Sequence, residues 1–442
     1  MNEVLIKGGQ LLLSLSILIL LHEFGHFVAA RIFKVRVEKF YLFFNPWFSL
    51  FKFQHGETEY GLGWLPLGGY VKISGMIDES MDKEQLKLPP QPWEFRTKPA
   101  WQRLIIMLGG IIMNVLLGIF IYWMILFFSG EEFFPVKNMK YGLSADSIGR
   151  EIGFKDGDQL IAIDGKPIDN FNKAPGTIII DMASQVTVNR DGQRVDIPIS
   201  QDQIRKIIDS KSAGDFISVR FPFMVDEVEP GTAAKELNLQ PKDIVVAVNG
   251  EPAMYYNEVR EKLQANAGSA VSITVLRDHK LITGSATLSS DGMLGVKVVT
   301  PDKFITSKKI HYGFFTALPA GINKAWQTLV SYVKQFALIF SPQVQGYKHV
   351  GGFISIANAF DATWDWGAFW AFTGFLSLAL AFMNLLPIPA LDGGHVLFTL
   401  IEIVTRRKPN EKFLEYAQVV GMVILLALIA YANGNDILHL FR

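Results

Sequence analysis

The sequence predicts a multi-pass α-helical membrane protein with four transmembrane helices, a membrane-associated β segment and two inserted α+β domains. Half of the 442 residues are hydrophobic and only 19% are charged, whereas soluble domains average about 25% charged residues. Long apolar stretches separate regions of ordinary composition, and one of these regions contains an internal repeat. Basic and acidic residues number 42 each, so the basic surface typical of nucleic-acid binding is not indicated, and we expect no nucleic-acid partner.

Four apolar runs predict the transmembrane helices. Leu104 to Phe128 and Gly367 to Ala390 contain no charged residue, and roughly 20 apolar residues cross the hydrocarbon core as a helix. A third run, from about Val4 to Phe33, has a few ionisable interruptions, and a fourth extends from about Phe413 to Ala432. Because the first run lacks a basic region beyond Lys7, contains His and Glu and does not end in a cleavage site, we expect an uncleaved helix.

Basic residues flank these runs asymmetrically. They follow the first helix, precede the second and follow the third, at Arg31, Lys34, Arg36, Lys39, Lys98, Arg103, Arg406, Arg407 and Lys408. The exit of the second helix instead carries Glu131 and Glu132. Because basic flanks mark the cytoplasmic side, both termini are predicted to lie outside the cytoplasm, together with the region between the second and third helices.

The stretch between the first two helices predicts strands and a linker. Glu59 to Ile73 contains short strand-favouring runs broken by Gly and Pro. Backbone of this kind is tolerated at membrane depth only where it lines protein or a water-filled cavity. We therefore expect a membrane-associated β segment here. Asp78 to Pro92 is polar and rich in proline, as is typical of a surface linker.

The region between the second and third helices contains two copies of one pattern. Gly153 to Pro167 matches Asn238 to Pro252 at an offset of 85 residues, and Val186 to Asp191 matches Ile273 to Asp278. The shared pattern is a turn, an Asp, an apolar strand, Asp/Asn-Gly and a Pro. A repeat of this period indicates two copies of a small domain. Each copy resembles a PDZ domain, and Glu229 to Ala234 resembles the turn and helix start of that family.

A further apolar stretch, Phe314 to Phe340, has several polar interruptions and favours a surface-lying amphipathic helix over a fifth span. A fifth span would also reverse the orientation that the basic residues support. The predicted order is a first span at 1–34, a β segment and cytoplasmic loop at 35–101, a second span at 102–129, PDZ-like domains at 130–215 and 216–301, an amphipathic helix and linker at 302–366, a third span at 367–405 and a fourth at 411–433.

The motif with the clearest chemistry is His22-Glu23-Phe24-Gly25-His26 in the first helix. Positions i and i+4 share a helix face, so the imidazoles of His22 and His26 can reach one Zn²⁺ ion. Glu23 can then act as general base towards a water molecule. The alternative is a buried polar cluster that joins helices, but ionisable groups at membrane depth are costly and usually functional.

A third ligand is expected from the segment NLLPIPALDGGH, residues 384–395. Asp392 is its acidic residue, Pro387 and Pro389 forbid an ordinary helix, and the glycines that follow permit close backbone approach. An unwound segment can direct the carboxylate into the helix bundle. A helix cap is the alternative role for Asp392, and His395 is the rival ligand.

These motifs together resemble the site-two protease family of intramembrane zinc metalloproteases, in particular its bacterial RseP-type (regulator of sigma-E protease) members. HEFGH in a first helix, NLLPIPALDGG in a later one and a tandem PDZ-like insert carry the resemblance over nearly the whole chain. It implies one zinc ion per chain, held by His22, His26 and Asp392, with Glu23 activating water. It also implies that Asn384 and Asn114, the latter in GGIIMN, contact the substrate, with a plain interhelical hydrogen bond as the alternative role of each asparagine.

The resemblance further implies the setting of the reaction. The substrates would be single-pass transmembrane proteins in the lipid bilayer of the bacterial inner membrane, pre-trimmed by another protease. The active site would face the cytoplasm, with the PDZ-like domains outside it as a substrate size filter. Two other classes stay open from the residues: a PDZ scaffold with a vestigial metal site, and a transporter with an intramembrane ion site, although transporters favour inverted repeats of helices.

Overall fold

The computed structural model describes residues 3–66, 68–76, 89–210, 214–408 and 410–441. The predicted linker from Asp78 to Pro92 therefore lies outside the described residues for most of its length. The described α-helices are α1 Glu3–Ile32, α2 Ala100–Phe128, α3 Ser147–Ile152, α4 Ala174–Ile180, α5 Gln201–Asp209, α6 Ala233–Glu236, α7 Tyr256–Ala265, α8 Phe314–Ile339, α9 Phe353–Asn358, α10 Trp366–Leu385, α11 Asp392–Thr405 and α12 Glu411–Leu440.

The strands fall between α1 and α2 and between α2 and α8. They are β1 Val37–Leu42, β2 Phe51–His55, β3 Thr58–Leu62, β4 Tyr70–Ile73, β5 Glu131–Phe133, β6 Leu143–Ala145, β7 Gln159–Ile163, β8 Lys166–Pro167, β9 Gln185–Arg190, β10 Gln193–Pro198, β11 Ile217–Val219, β12 Val225–Val228, β13 Ile244–Val248, β14 Glu251–Pro252, β15 Ala270–Arg277, β16 Lys280–Thr287, β17 Val296–Val298 and β18 Lys308–Ile310. The described chain divides into two compact units, one built on the long helices and one on residues 131–310 with 341–345.

Four helices in the described part of the chain are long and apolar enough to cross a membrane, as the sequence predicts: α1, α2, α10 and the 412–438 portion of α12. In the first unit, α2 packs against both α1 and α10. The crossing of α1 and α2 is close because glycines face each other. A Cβ added to Gly25 would lie 2.2 Å from the carbonyl oxygen of Gly109, and small residues of this kind let membrane helices approach closely.

The predicted third span is interrupted where its prolines lie. The helix α10 ends at Leu385 and α11 begins at Asp392. Pro387 and Pro389 have no N–H to continue the helical hydrogen bonds, so the chain between them is unwound. Ala390 has a φ of +88°, in the left-handed region that favours glycine. The interruption brings Asp392 to the first position of a new helix instead of the middle of a span.

The β segment forms one four-stranded sheet in the order β2-β3-β1-β4. β1 pairs in parallel with β3 and antiparallel with β4, and β2 pairs antiparallel with β3. Its strands are rich in aromatic and β-branched residues, which favour extended backbone. β4 is an edge strand that lies against α1: a Cβ added to Gly69 would lie 2.7 Å from Ile19 Cγ2 and 3.5 Å from Glu23 Cγ.

A helix, α8, is present where the sequence predicts an amphipathic one, with Pro319 inside it. It packs against α2 and α10 rather than apart from the bundle. The ring of Phe314 lies 4.7 Å from that of Trp123 in α2, and the ring of Tyr332 lies 5.5 Å from that of Phe375 in α10. Part of the aromatic surface of this helix therefore contacts the neighbouring helices, whereas Phe315 and Trp326 stay exposed.

The second unit contains two copies of one topology. The four-stranded sheet of the first copy has the order β10-β9-β7-β8. Read from its opposite edge, the sheet of the second copy has the equivalent order β16-β15-β13-β14. A short helix precedes β7 and β13, and another follows β8 and β14. The strands β5 and β18 pair antiparallel with each other, and this unit extends to Ile310, beyond the predicted limit at residue 301.

The same buried ion pair recurs in both copies. Asp158 is held by Arg190 at 2.8 Å, and Asp243 is held by Arg277 at 2.6 Å. Each arginine also donates to a backbone carbonyl of the turn before the strand, at Gly153 and Asn238. Both aspartates are 1% exposed, and a buried carboxylate requires such partners. The shared Asp and Arg of the sequence repeat are thus the residues that fix this turn.

Candidate metal centre

His22 and His26 lie on one face of α1, one turn apart, as the motif predicts. Their side chains are only 11% and 7% exposed. The two Nε2 atoms are 3.3 Å from each other. Both imidazoles therefore direct the same ring nitrogen at a common point inside the helical unit.

Asp392 reaches this point from the start of α11. Its Oδ2 atom lies 3.3 Å from His22 Nε2 and 3.1 Å from His26 Nε2. Among the described residues, the ligand atoms of His22, His26 and Asp392 lie within 4.8 Å of one another, close enough to hold one metal ion. His395, the rival ligand, is not in this group.

The three atoms fit the geometry of zinc. Ligand atoms about 2.0 to 2.1 Å from a tetrahedral Zn²⁺ ion lie about 3.3 to 3.4 Å from one another, and the three observed separations are 3.1 to 3.3 Å. Two imidazoles and one carboxylate are a donor set that zinc accepts, and they leave one position open. The residues present therefore fit a catalytic zinc ion.

The other nitrogen of each imidazole contacts α2. His26 Nδ1 lies 2.8 Å from the carbonyl oxygen of Ile106. Since a carbonyl can only accept, His26 carries its proton on Nδ1 and leaves the Nε2 lone pair for a metal. His22 Nδ1 lies 3.1 Å from Asn114 Nδ2.

Glu23 projects from α1 beside this cluster. Its carboxylate hydrogen-bonds the backbone of Val71 in β4 and lies within electrostatic range of His22, His26 and Asp392. The edge strand therefore helps to fix the carboxylate. A carboxylate next to the ligands, but outside the group that could hold a metal, is placed to exchange a proton with a water molecule there.

Both asparagines singled out in the sequence lie against His22. Asn384 Nδ2 is 3.3 Å from His22 Nε2, and Asn114 Nδ2 is 3.1 Å from His22 Nδ1. They differ in exposure: Asn384 is half-buried, whereas Asn114 is fully buried. Asn384 thus shares the ligand side of the ring, and Asn114 lies behind it.

Sequence reasoning missed the role of Gly110. A Cβ added at this position in α2 would lie 2.4 Å from His26 Nε2 and 2.5 Å from His22 Cε1. The glycine therefore leaves the space that both imidazoles occupy. The adjacent pair Gly109-Gly110 in an apolar helix was the available signal, since paired small residues mark close approach, but the sequence does not show what approaches.

Comparison with known proteins adds the family. A protein-family model described as "Peptidase family M50" matches residues 10–428. The chain is 28% identical to a putative zinc metalloprotease of Xylella fastidiosa, over 99% of this chain and 100% of the relative. It is 29% identical to a putative zinc metalloprotease of Vibrio cholerae, over 100% of both. It is also 28% identical to the regulator of sigma-E protease RseP of Escherichia coli, over 97% of both.

These matches confirm the predicted family, enzyme class and zinc cofactor. They therefore favour an enzyme over the scaffold and transporter alternatives. The apolar helices and the regulator-of-sigma-E relatives indicate a multi-pass protein of the inner membrane that acts on membrane proteins in the bilayer. The chain belongs to peptidase family M50 and is an intramembrane zinc metalloprotease.

Proposed function

We propose that this enzyme hydrolyses a peptide bond within the transmembrane segment of single-pass membrane proteins that another protease has already trimmed. His22, His26 and Asp392 hold the zinc ion, and Glu23 is the general base. The observation that carries the proposal is the convergence of His22 Nε2, His26 Nε2 and Asp392 Oδ2 at tetrahedral spacing between membrane-spanning helices. Relatives named regulator of sigma-E protease support a regulatory membrane substrate.

The chemistry divides among named groups. Zinc, when bound, supplies a Lewis acid that polarises the scissile carbonyl and makes water a stronger acid. Glu23 accepts the proton of the attacking water and delivers it to the leaving amine. The half-buried Asn384, on the ligand side of His22, can donate its amide hydrogens to the substrate carbonyl oxygen as negative charge develops there.

Edge strand β4 is the proposed docking site for the unwound substrate. A membrane helix satisfies its backbone within itself, so a protease must open it and pair the freed groups. β4 pairs with β1 on one side and hydrogen-bonds Glu23 through Val71. A substrate strand added to β4 would thereby be aligned next to the general base.

Replacing Val71 by proline tests this docking mode. Val71→Pro removes a strand N–H that also holds Glu23, so it is compared with Tyr70→Pro and Lys72→Pro. Each is expected to slow cleavage by about tenfold or more without changing zinc content. Val71→Ala is the matched control, because it shortens the same side chain but keeps the N–H. Initial rates on a reconstituted transmembrane substrate and zinc stoichiometry are measured for both. Equal rates for the two variants, and for proline at the other β4 positions, would exclude strand addition.

The inserted unit is proposed to be a tandem of PDZ-like domains on the outer side of the membrane, with the metal towards the cytoplasm. The basic flanks of the spans support this orientation. The repeated topology and the repeated Asp–Arg pair support two copies of one domain. In this position the tandem would exclude substrates that still carry a bulky outer domain.

Deleting residues from about 135 to 300 tests the filter. The paired strands β5 and β18 remain to join the flanking segments. The truncated enzyme is expected to keep its zinc and to cleave substrates that have not been trimmed. The comparison is between trimmed and untrimmed versions of one substrate, with the full-length enzyme as reference. A folded, zinc-loaded truncation that cuts only the trimmed version would defeat the filter.

A further inference from the structure

Asn114 lies at the junction of α1, α2 and α10 and is fully buried. Its Nδ2 atom is 3.1 Å from His22 Nδ1, and its backbone carbonyl accepts a 2.7 Å hydrogen bond from Ser377 Oγ in α10. Its side-chain oxygen Oδ1 is buried without a hydrogen-bond partner among the described residues. An unpaired buried oxygen next to a metal-site imidazole requires an explanation.

The explanation begins with the hydrogen-bonding capacity of His22. An asparagine amide nitrogen faces each ring nitrogen of His22. Asn114 Nδ2 faces Nδ1, and Asn384 Nδ2 faces Nε2. A neutral imidazole has one lone pair and one N–H, so it cannot accept at both positions. The oxygen and nitrogen of an asparagine amide are interchanged by a half-turn of the side chain, and the hydrogen-bond network determines which faces the ring.

Zinc binding to His22 would determine which of the two orientations of the Asn114 amide is favourable. A metal ion on His22 Nε2 occupies the lone pair there and leaves the proton on Nδ1. That N–H needs an acceptor, and Asn114 offers Oδ1 after a half-turn. His26 already shows this arrangement, since its Nδ1 faces the carbonyl oxygen of Ile106, also in α2.

We propose that Asn114 is the positioning residue of His22: its Oδ1 accepts the Nδ1–H hydrogen and holds the imidazole with Nε2 directed at the metal. Helix α2 then supplies one acceptor to each zinc-bound histidine, a backbone carbonyl for His26 and a side-chain amide for His22. This role replaces the substrate contact that the family resemblance implies for Asn114. A side chain with no exposed surface has no face to offer a substrate.

The test compares two substitutions of similar size. Asn114→Leu removes the acceptor, and Asn114→Asp keeps an acceptor at the same place. The purified enzymes in detergent are titrated with a zinc chelator, and the cobalt-substituted forms are examined by visible absorption. Asn114→Leu is expected to weaken zinc binding about 10- to 100-fold and to change the tetrahedral cobalt spectrum. Asn114→Asp is expected to retain both.

Ser377→Ala is the matched control. It removes a buried hydrogen bond to the same residue but touches only the backbone of Asn114, so zinc affinity should be unchanged even if thermal stability falls. Unaltered zinc affinity and cobalt spectrum in Asn114→Leu, with a raised KM, would overturn the positioning role and restore a substrate contact. Weakening in Asn114→Asp equal to that in Asn114→Leu would also overturn it.

The role of Asn114 rests on the proposed zinc ligands. The variant His22→Ala distinguishes an error in the ligand set from an error in the role of Asn114. Zinc retained by His22→Ala would show that His22 is not a ligand, and the proposed metal site would then be wrong. Zinc lost from His22→Ala but kept by Asn114→Leu would leave the site intact and refute only the role of Asn114.

Discussion

Glu23→Gln is expected to abolish peptide hydrolysis while leaving zinc bound. The amide keeps the size and hydrogen-bonding ability of the carboxylate, but it cannot accept the proton of the attacking water. General acid–base catalysis of this kind contributes about 10²- to 10⁴-fold, so the residual rate should lie near the detection limit. Cleavage of a reconstituted transmembrane substrate and metal analysis of the same preparation provide the two measurements.

Two further variants serve as controls for this result, one expected to lose zinc and one expected to behave like the unaltered enzyme. Asp392→Asn should lower zinc content together with activity, because an amide is a poor zinc ligand. Glu57→Gln changes an exposed glutamate in the turn between β2 and β3 and should change neither quantity. If Glu23→Gln behaved like Asp392→Asn and lost its metal, Glu23 would be a ligand and its assignment as general base would be wrong.

Gly110→Ala is expected to weaken zinc binding in an otherwise folded enzyme. The new methyl group would lie 2.4 Å from His26 Nε2 and 2.5 Å from His22 Cε1, well inside van der Waals contact. Both imidazoles would have to move, whereas a metal site tolerates displacements of only about 0.5 Å. We expect zinc affinity to fall at least about tenfold, and cleavage to fall with it.

The control is a glycine in a membrane helix with free space around it. Gly8 of α1 has no atom within 4 Å of an added Cβ, so Gly8→Ala should keep zinc and activity. Melting temperatures of both variants in detergent show whether Gly110→Ala remains folded. Unchanged zinc affinity in Gly110→Ala would mean that the imidazoles of the working enzyme do not lie against this glycine.

The parts of the fold that the sequence predicts are those governed by local chemistry. The uncharged run around Leu104 to Phe128 is long enough to cross the hydrocarbon core as a helix, and Pro387 and Pro389 end α10 wherever its neighbours lie. The repeated turn, Asp and apolar strand indicate two copies of one small domain because both copies need the same local turn. By contrast, the packing of α8 on α2 and α10 depends on which aromatic faces meet, and composition alone does not contain that information.

The same distinction applies to the site. The spacing of His22 and His26 and the isolated Asp392 predict the cluster, since helix geometry and the cost of a buried charge are local facts. The surroundings of the cluster are not local. That Gly110 makes room for two imidazoles, and that Asn114 is hidden behind His22, follow from the angle and depth at which α2 crosses α1.

The convergence of distant side chains on one point has a consequence for folding. The chain contains no cysteine, so no disulfide can cross-link it. His26 and Asp392 are 366 positions apart, and zinc on the proposed ligands would fasten these two points of the chain together. Closing so long a loop restricts the unfolded chain in the way a disulfide does. The ion would then act as a removable staple of the membrane domain, and a chelator would loosen the helices as well as stop the reaction.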